Sequence, residues 1–107
     1  MQQKTRVAFK MKLHPGQEAE YQRRHDELWP ELASLLREKG IQHYSIFLEK
    51  ESGALFGVLE VENPAQLDEL PAHPVMQRWW AYMADIMETN PDKSPLSIPL
   101  EEVFYLD

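Results

Sequence analysis

Residues 20–32 read EYQRRHDELWPEL, and they set a phenol and an imidazole four positions apart inside an apolar pattern. His25 can give or take a proton near neutrality, which makes it the strongest acid/base candidate in the chain. Counting from Tyr21, the side chains of His25, Leu28, Leu32 and Leu36 follow at four, seven, eleven and fifteen. On a helix these five lie near one line, on the stripe a surface helix normally turns inward. A histidine there is either a hydrogen-bonded core residue or part of the wall of a cavity.

A second group of aromatic side chains is carried by QRWWAYMADIM, 77–87. Adjacent helix positions point ~100° apart, so Trp79 and Trp80 cannot share one contact. One indole can pack on a sheet while the other faces an edge or a cavity. Tyr44 alternates with Ile46 and Leu48 in a strand-like run, which points its hydroxyl to the covered side or else makes it a cross-strand packing residue. Aromatic rings stack on the C–H faces of sugars, while hydroxyls and imidazole bond their oxygens. A concave site with apolar walls and a few converging polar groups is the usual small-ligand design.

Other chemistries find less support. His14 and His73 precede prolines at helix starts and His43 begins a strand, so no histidine pair has the close spacing of metal ligands. The acidic residues Glu18, Glu20, Asp26, Glu27, Glu31 and Glu38 read as solvated helix faces. Only four glycines are present and none forms a phosphate-binding loop.

The elements that must hold these groups fit one domain over residues 1–107. A hydrophobic fraction of 43% argues for a folded core, and a formal charge of −7 argues against nucleic acid and anionic membranes as partners. No apolar run is long enough to cross a bilayer, no signal segment opens the chain, and there is no cysteine. A cytoplasmic protein with a neutral small molecule or a protein partner is the expectation.

Alternation over 5–13 predicts a strand, and His14-Pro15 opens a helix to about Lys39, interrupted at Pro30 by a kink or short break after Trp29 and capped by Gly40. Strands at 41–50 and 54–62 meet in a hairpin at ESG, with Gly53 available for positive φ. A short helical turn from Asn63-Pro64 and a longer helix from 72–74 to about Met87 follow. The proline-rich residues 89–100 form an extended connection, and EEVFYL at 101–106 forms the last strand. The order β-α-β-β-α-β is that of ferredoxin-like α+β folds, with both helices on one face of a four-stranded antiparallel sheet. Residues 54–59, ALFGVL, are apolar on both sides, which predicts a second covered face and a two-fold homodimer.

EYQRRH, WPEL, HYSIFL, QRWWAYMADIM, NPD and EVFYL stand together in an order and spacing that resemble the L-rhamnose mutarotase family across nearly the whole chain. The tryptophan pair and the Tyr-x-x-x-His element are the specific part. Asparagine, rather than His43, is the type of residue the resemblance leads one to expect before Tyr44. The resemblance implies a dimeric α/β barrel of ferredoxin-like subunits, with His25 as the acid/base group. It also implies that Tyr21, Tyr44, Trp79 and Trp80 contact the sugar.

Mutarotation exchanges anomers through the open-chain aldehyde, so the ring oxygen must gain a proton as the anomeric hydroxyl loses one. Nothing is transferred and no electrons move, so neither cofactor nor metal is expected. His25 is the expected proton donor, alternating with a water, Tyr21 or a carboxylate. The methyl group of a 6-deoxy sugar suits an indole wall. Two rivals belong to other classes: a small dimeric-barrel monooxygenase, which would bind haem or consume oxygen, and a non-enzymatic ligand-sensing module.

Overall fold

The computed structural model describes residues 4–107. Its elements are β1 (Thr5–Lys12), α1 (Glu18–Asp26), α2 (Pro30–Glu38), β2 (Ile41–Glu49), β3 (Ala54–Val61), a 3₁₀ segment (Pro64–Ala72), α3 (Pro74–Met83) and β4 (Ile98–Leu100). Every strand pairing is antiparallel, and the sheet order is β2-β3-β1-β4. This is the ferredoxin-like arrangement the element order predicts.

Pleat and register divide the sheet into two faces. Val7, Phe9 and Met11 of β1 share the inner face with Leu55, Gly57 and Leu59 of β3. The helices cover that face, and Leu13, Leu32, Leu55 and Val61 form its most deeply buried part. Gly57 has a local reason to be glycine: a Cβ there would run into the ring of Phe9 on the paired strand. Gly53 has another, with φ of 76° in the hairpin and the Leu13 carbonyl lying against the place of its missing side chain.

Of the kink or short break expected after Trp29, the structure shows the break, which divides the first helix in two. Pro30 lacks the N–H that would continue the ladder, and its ring crowds the carbonyl four residues back. Trp29, before it, therefore takes the extended conformation with ψ of 129°, and Pro30 becomes the first residue of α2. The apolar stripe survives the break, with Tyr21 buried on α1 and Leu32 and Leu35 buried on α2. The start of α1 also moves inward to Glu18, because Gly16, with φ of 82°, holds a turn after Pro15.

α3 begins where the sequence predicts. His73 caps it by accepting a hydrogen bond from the Val75 N–H at 3.2 Å, and Pro74 takes the first helical position. It ends at Met83 rather than Met87, since Met87 forms a lone β-bridge with Leu13.

The last strand is displaced most. β4 is Ile98–Leu100, within the stretch expected to be a connection, and residues 101–107 form no strand. Beyond Leu100 the chain follows β1 through side chains instead of backbone. Glu102 accepts hydrogen bonds from the Arg6 guanidinium at 2.8 and 3.1 Å, and that guanidinium lies 3.3 Å over the Tyr105 ring. Val103, Phe104 and Leu106 are left 78–89% exposed.

Candidate active site

Between the helices and the inner face lies a cavity of about 1580 Å³, open on one side. It exceeds the roughly 300–1,000 Å³ usual for small-ligand sites, so one pyranose ring would fill only part of it. Its floor is Val7, Phe9 and Met11, and its wall carries Tyr21, His25, Tyr44, Trp79 and Trp80. All five side chains singled out from the sequence are therefore brought to one space.

His25 is half-buried on the last turn of α1. Its Nδ1 lies 2.9 Å from the carbonyl oxygen of Tyr21, one turn back on the same helix. With Nδ1 carrying its proton to that carbonyl, Nε2 is the nitrogen left to act. The imidazole also sits 4.3 Å from the Tyr21 ring and meets Trp79 edge-on at 5.4 Å. Burial lowers its pKa from the ordinary 6.5, outweighing the opposite pull of the Tyr21 carbonyl and Asp26. Its neutral form therefore dominates at pH 7, with a lone pair on Nε2.

The two phenols respond in the opposite sense. Burial raises the Tyr21 hydroxyl well above its ordinary value, and the nearby Tyr44 raises it further. Burial alone pushes Tyr44 up to about 12. Tyr44 keeps 39% of its surface in the isolated chain, but its hydroxyl end is crowded on the inner side, where its ring meets Phe9 at 6.1 Å. Both hydroxyls stay protonated at neutral pH, able to donate to one sugar oxygen and accept from another.

The indoles divide their roles, as their helix positions require. Trp79 is 6% exposed and belongs to the core, touching His25, Trp29 and Tyr82 by ring contacts of 5.1–5.7 Å. Trp80 is only half-buried and lines the cavity about 100° further round α3.

Two residues matter here that sequence spacing did not single out. Trp29 stands at the break between α1 and α2, edge-on to Trp79 and stacked on Tyr82 at 5.6 Å. Arg24, next to His25, is buried at 9% exposure. It donates to Glu20 and to the Tyr82 carbonyl at 2.7 Å each and to Asp85 at 2.9 Å, and its guanidinium lies 4.4 Å over the Tyr82 ring. These bonds tie α1 to the end of α3 and so fix His25 relative to Trp79. The Glu20–Arg24 spacing of four was a readable helical ion pair; the link to Asp85, 61 residues away, was not.

Glu18 stands on the cavity wall two turns before His25, the one carboxylate lining it among the described residues. Among the described residues, no three of His, Asp and Glu gather as a metal site requires. No helix among them is long and apolar enough to cross a membrane.

Comparison with known proteins places the arrangement. The family model for L-rhamnose mutarotase matches residues 6–106. An L-rhamnose mutarotase of Brucella anthropi is 56% identical over 101 residues, covering 94% of this chain and 95% of its own. One from Sinorhizobium fredii is 58% identical over 102 residues, covering 94% and 97%. The crystal structure of an L-rhamnose mutarotase from Formosa agariphila superposes with a TM-score of 0.90 at 50% identity, covering 96% of this chain and 99% of that one. A cavity that gathers the His25 imidazole, two phenols and two indoles thus sits in a chain that belongs to the L-rhamnose mutarotase family, a family of sugar isomerases.

Proposed function

We propose that His25 carries the proton in this chain's reaction, the exchange of the α and β anomers of L-rhamnose, while Tyr21, Tyr44, Trp79 and Trp80 hold the sugar. The observation that carries this reading is the anchoring of Nδ1 on the Tyr21 carbonyl, which leaves Nε2 as the working nitrogen beside an aromatic cavity.

Both reacting oxygens of an aldopyranose are bonded to the anomeric carbon, so a single imidazole edge can serve them in turn. Neutral Nε2 takes the proton of the anomeric hydroxyl, and the anomeric C=O bond forms as the bond from that carbon to the ring oxygen breaks. The ring oxygen receives the proton from the imidazolium, which avoids a free alkoxide. Rotation of the aldehyde followed by the reverse steps closes the other anomer. Atoms and charge balance with no oxidant, reductant or carrier. A positioned acid/base group of this kind contributes about 10²–10⁴-fold.

The lowered pKa of His25 suits this role, because an imidazolium in a half-buried site gives up its proton readily. The Tyr21 and Tyr44 hydroxyls, kept protonated by burial, can fix the sugar's other oxygens. The half-exposed Trp80 offers a face for the C–H surface and methyl group of a 6-deoxy sugar, and Trp79, on the same cavity wall, also meets the imidazole edge-on.

The same reading takes the whole chain as one cytoplasmic domain that pairs with a second copy. Pairing is supported by the uncovered outer sheet face, where Phe47 is 64% exposed and Ile98 57%. The apolar tail after Leu100 extends that surface.

NMR exchange spectroscopy on L-rhamnose tests the assignment. Added protein should accelerate anomer exchange, and His25→Gln, still folded and still binding the sugar, should lose about 10²-fold or more of that acceleration. A folded His25→Gln protein that exchanges anomers at the unaltered rate would mean that another group moves the proton.

A further inference from the structure

β2 does not alternate cleanly along its length. Gln42 pairs with Glu60 and Ser45 pairs with Val58, so His43 and Tyr44 together stand opposite Leu59 alone. This is a β-bulge, one extra residue on the bulged strand. Its effect on facing can be counted. Ile41 is buried on the inner face, and strict alternation from it would turn residues 43, 45 and 47 inward. After the bulge, Tyr44, Ile46 and Leu48 line the cavity, whereas Ser45 and Phe47 do not, Phe47 standing 64% exposed. The extra residue therefore shifts the phase of the strand by one. It does so immediately before the tyrosine that the cavity uses.

The shift is made at His43. Its φ is 51°, in the left-handed region that few non-glycine residues enter, asparagine, aspartate and histidine more readily than the rest. Its imidazole, largely exposed at the rim of the cavity, has Nδ1 3.2 Å from a carboxylate oxygen of Glu60 on the neighbouring strand. Tyr44 then reaches inward far enough to meet the Phe9 ring, which itself lies where any side chain at Gly57 would stand.

We propose that His43 is a positioning residue of the active site: its left-handed backbone turns Tyr44 into the cavity. The bulge is then a device that lets β2 keep Ser45 and Phe47 outward while the phenol of Tyr44 is presented inward. The consequence for catalysis rests on the reading of Tyr44 as a sugar contact; the consequence for side-chain direction does not.

The test separates the two. In the full chain, His43→Asn and His43→Gly accept a left-handed backbone, whereas β-branched His43→Val resists it. The readouts are the NMR contact between the Phe9 and Tyr44 rings and the KM and kcat for L-rhamnose exchange. His43→Asn and His43→Gly should keep the ring contact and hold KM within about twofold. His43→Val should lose the contact and raise KM about tenfold, the scale of one lost hydrogen bond, with a smaller change in kcat. Should His43→Val fail to fold, His43→Ala, less strained at the same φ, carries the same comparison. Retention of both the ring contact and KM in a folded valine or alanine variant overturns the proposal. Loss of the ring contact with KM unchanged supports the bulge as the element aiming Tyr44 and removes Tyr44 from the sugar site instead.

Discussion

The two faces of the sheet are both apolar, yet they differ in almost every other respect. The inner face is closed over by α1, α2 and α3, and its apolar residues surround groups whose protonation is altered by burial: His25 lowered, Tyr21 and Tyr44 raised. The outer face carries Phe47, Ile98 and Leu100 at 41–64% exposure, beside a tail whose apolar side chains are more exposed still. Charged side chains share that face, Arg6 paired with Glu102 among them. Apolar surface that encloses titratable groups shifts their pKa values and can do chemistry. Apolar surface that encloses none has only its own burial to gain, and a second chain is the natural cover.

The contrast is sharpest at the tryptophan pair. Trp79→Ala should cost about 3–5 kcal/mol of stability, because it empties a site at the junction of α1, α2 and α3. Trp80→Ala should cost much less stability and mainly weaken L-rhamnose binding. Thermal unfolding with parallel sugar titration checks both. Equal losses of stability with unchanged affinity would make both indoles plain core and the inner face no different in kind from any other.

A smaller effect should come from pH. A lowered His25 pKa keeps the imidazole neutral below its ordinary 6.5. The kcat/KM for exchange should accordingly be flat around pH 7 and fall about tenfold per unit only below the lowered value. The stability contribution has the same sign. The unfolded chain takes up this proton first, so stability is full above about pH 6.5 and declines as pH falls towards the folded pKa. A rate profile that bends above pH 6.5 would contradict a buried, desolvated imidazole as the base.

Least of all should the outer face matter to the stability of one chain. Phe47→Glu removes a ring that is already 64% exposed, so the intrinsic stability of a subunit should change by under about 0.5 kcal/mol. Its effect should appear in assembly. Light scattering is expected to give twice the chain mass for the unaltered protein and close to 12.6 kDa for the variant. A value of 12.6 kDa for both would leave the outer face uncovered and dissolve the comparison.

Local spacing made part of this legible from the start. Tyr21 and His25 are four residues apart on one helix, and helical geometry alone brings an imidazole Nδ1 back to that carbonyl. Pro30 marked the break in the helix, though whether a proline kinks a helix or divides it depends on where the following helix packs. The final strand was misplaced because β-propensity in EEVFYL is real while pairing requires an edge in the right register. Ile98–Leu100 took the edge of β1 first.

The amino-acid order by itself determined the element succession, the antiparallel ferredoxin-like sheet, the absence of thiol chemistry and the identity of the imidazole, phenols and indoles available for a site. These follow from periodicity and composition, which act over a few residues. Tertiary structure alone decided the bonding of Arg24 to Asp85 across 61 positions, the burial that lowers His25 and raises the phenols, and the bulge that points Tyr44 inward. Each of these depends on what a distant segment places opposite a residue, and desolvation, ion pairing and strand register are set by that neighbour rather than by the residue's own place in the chain.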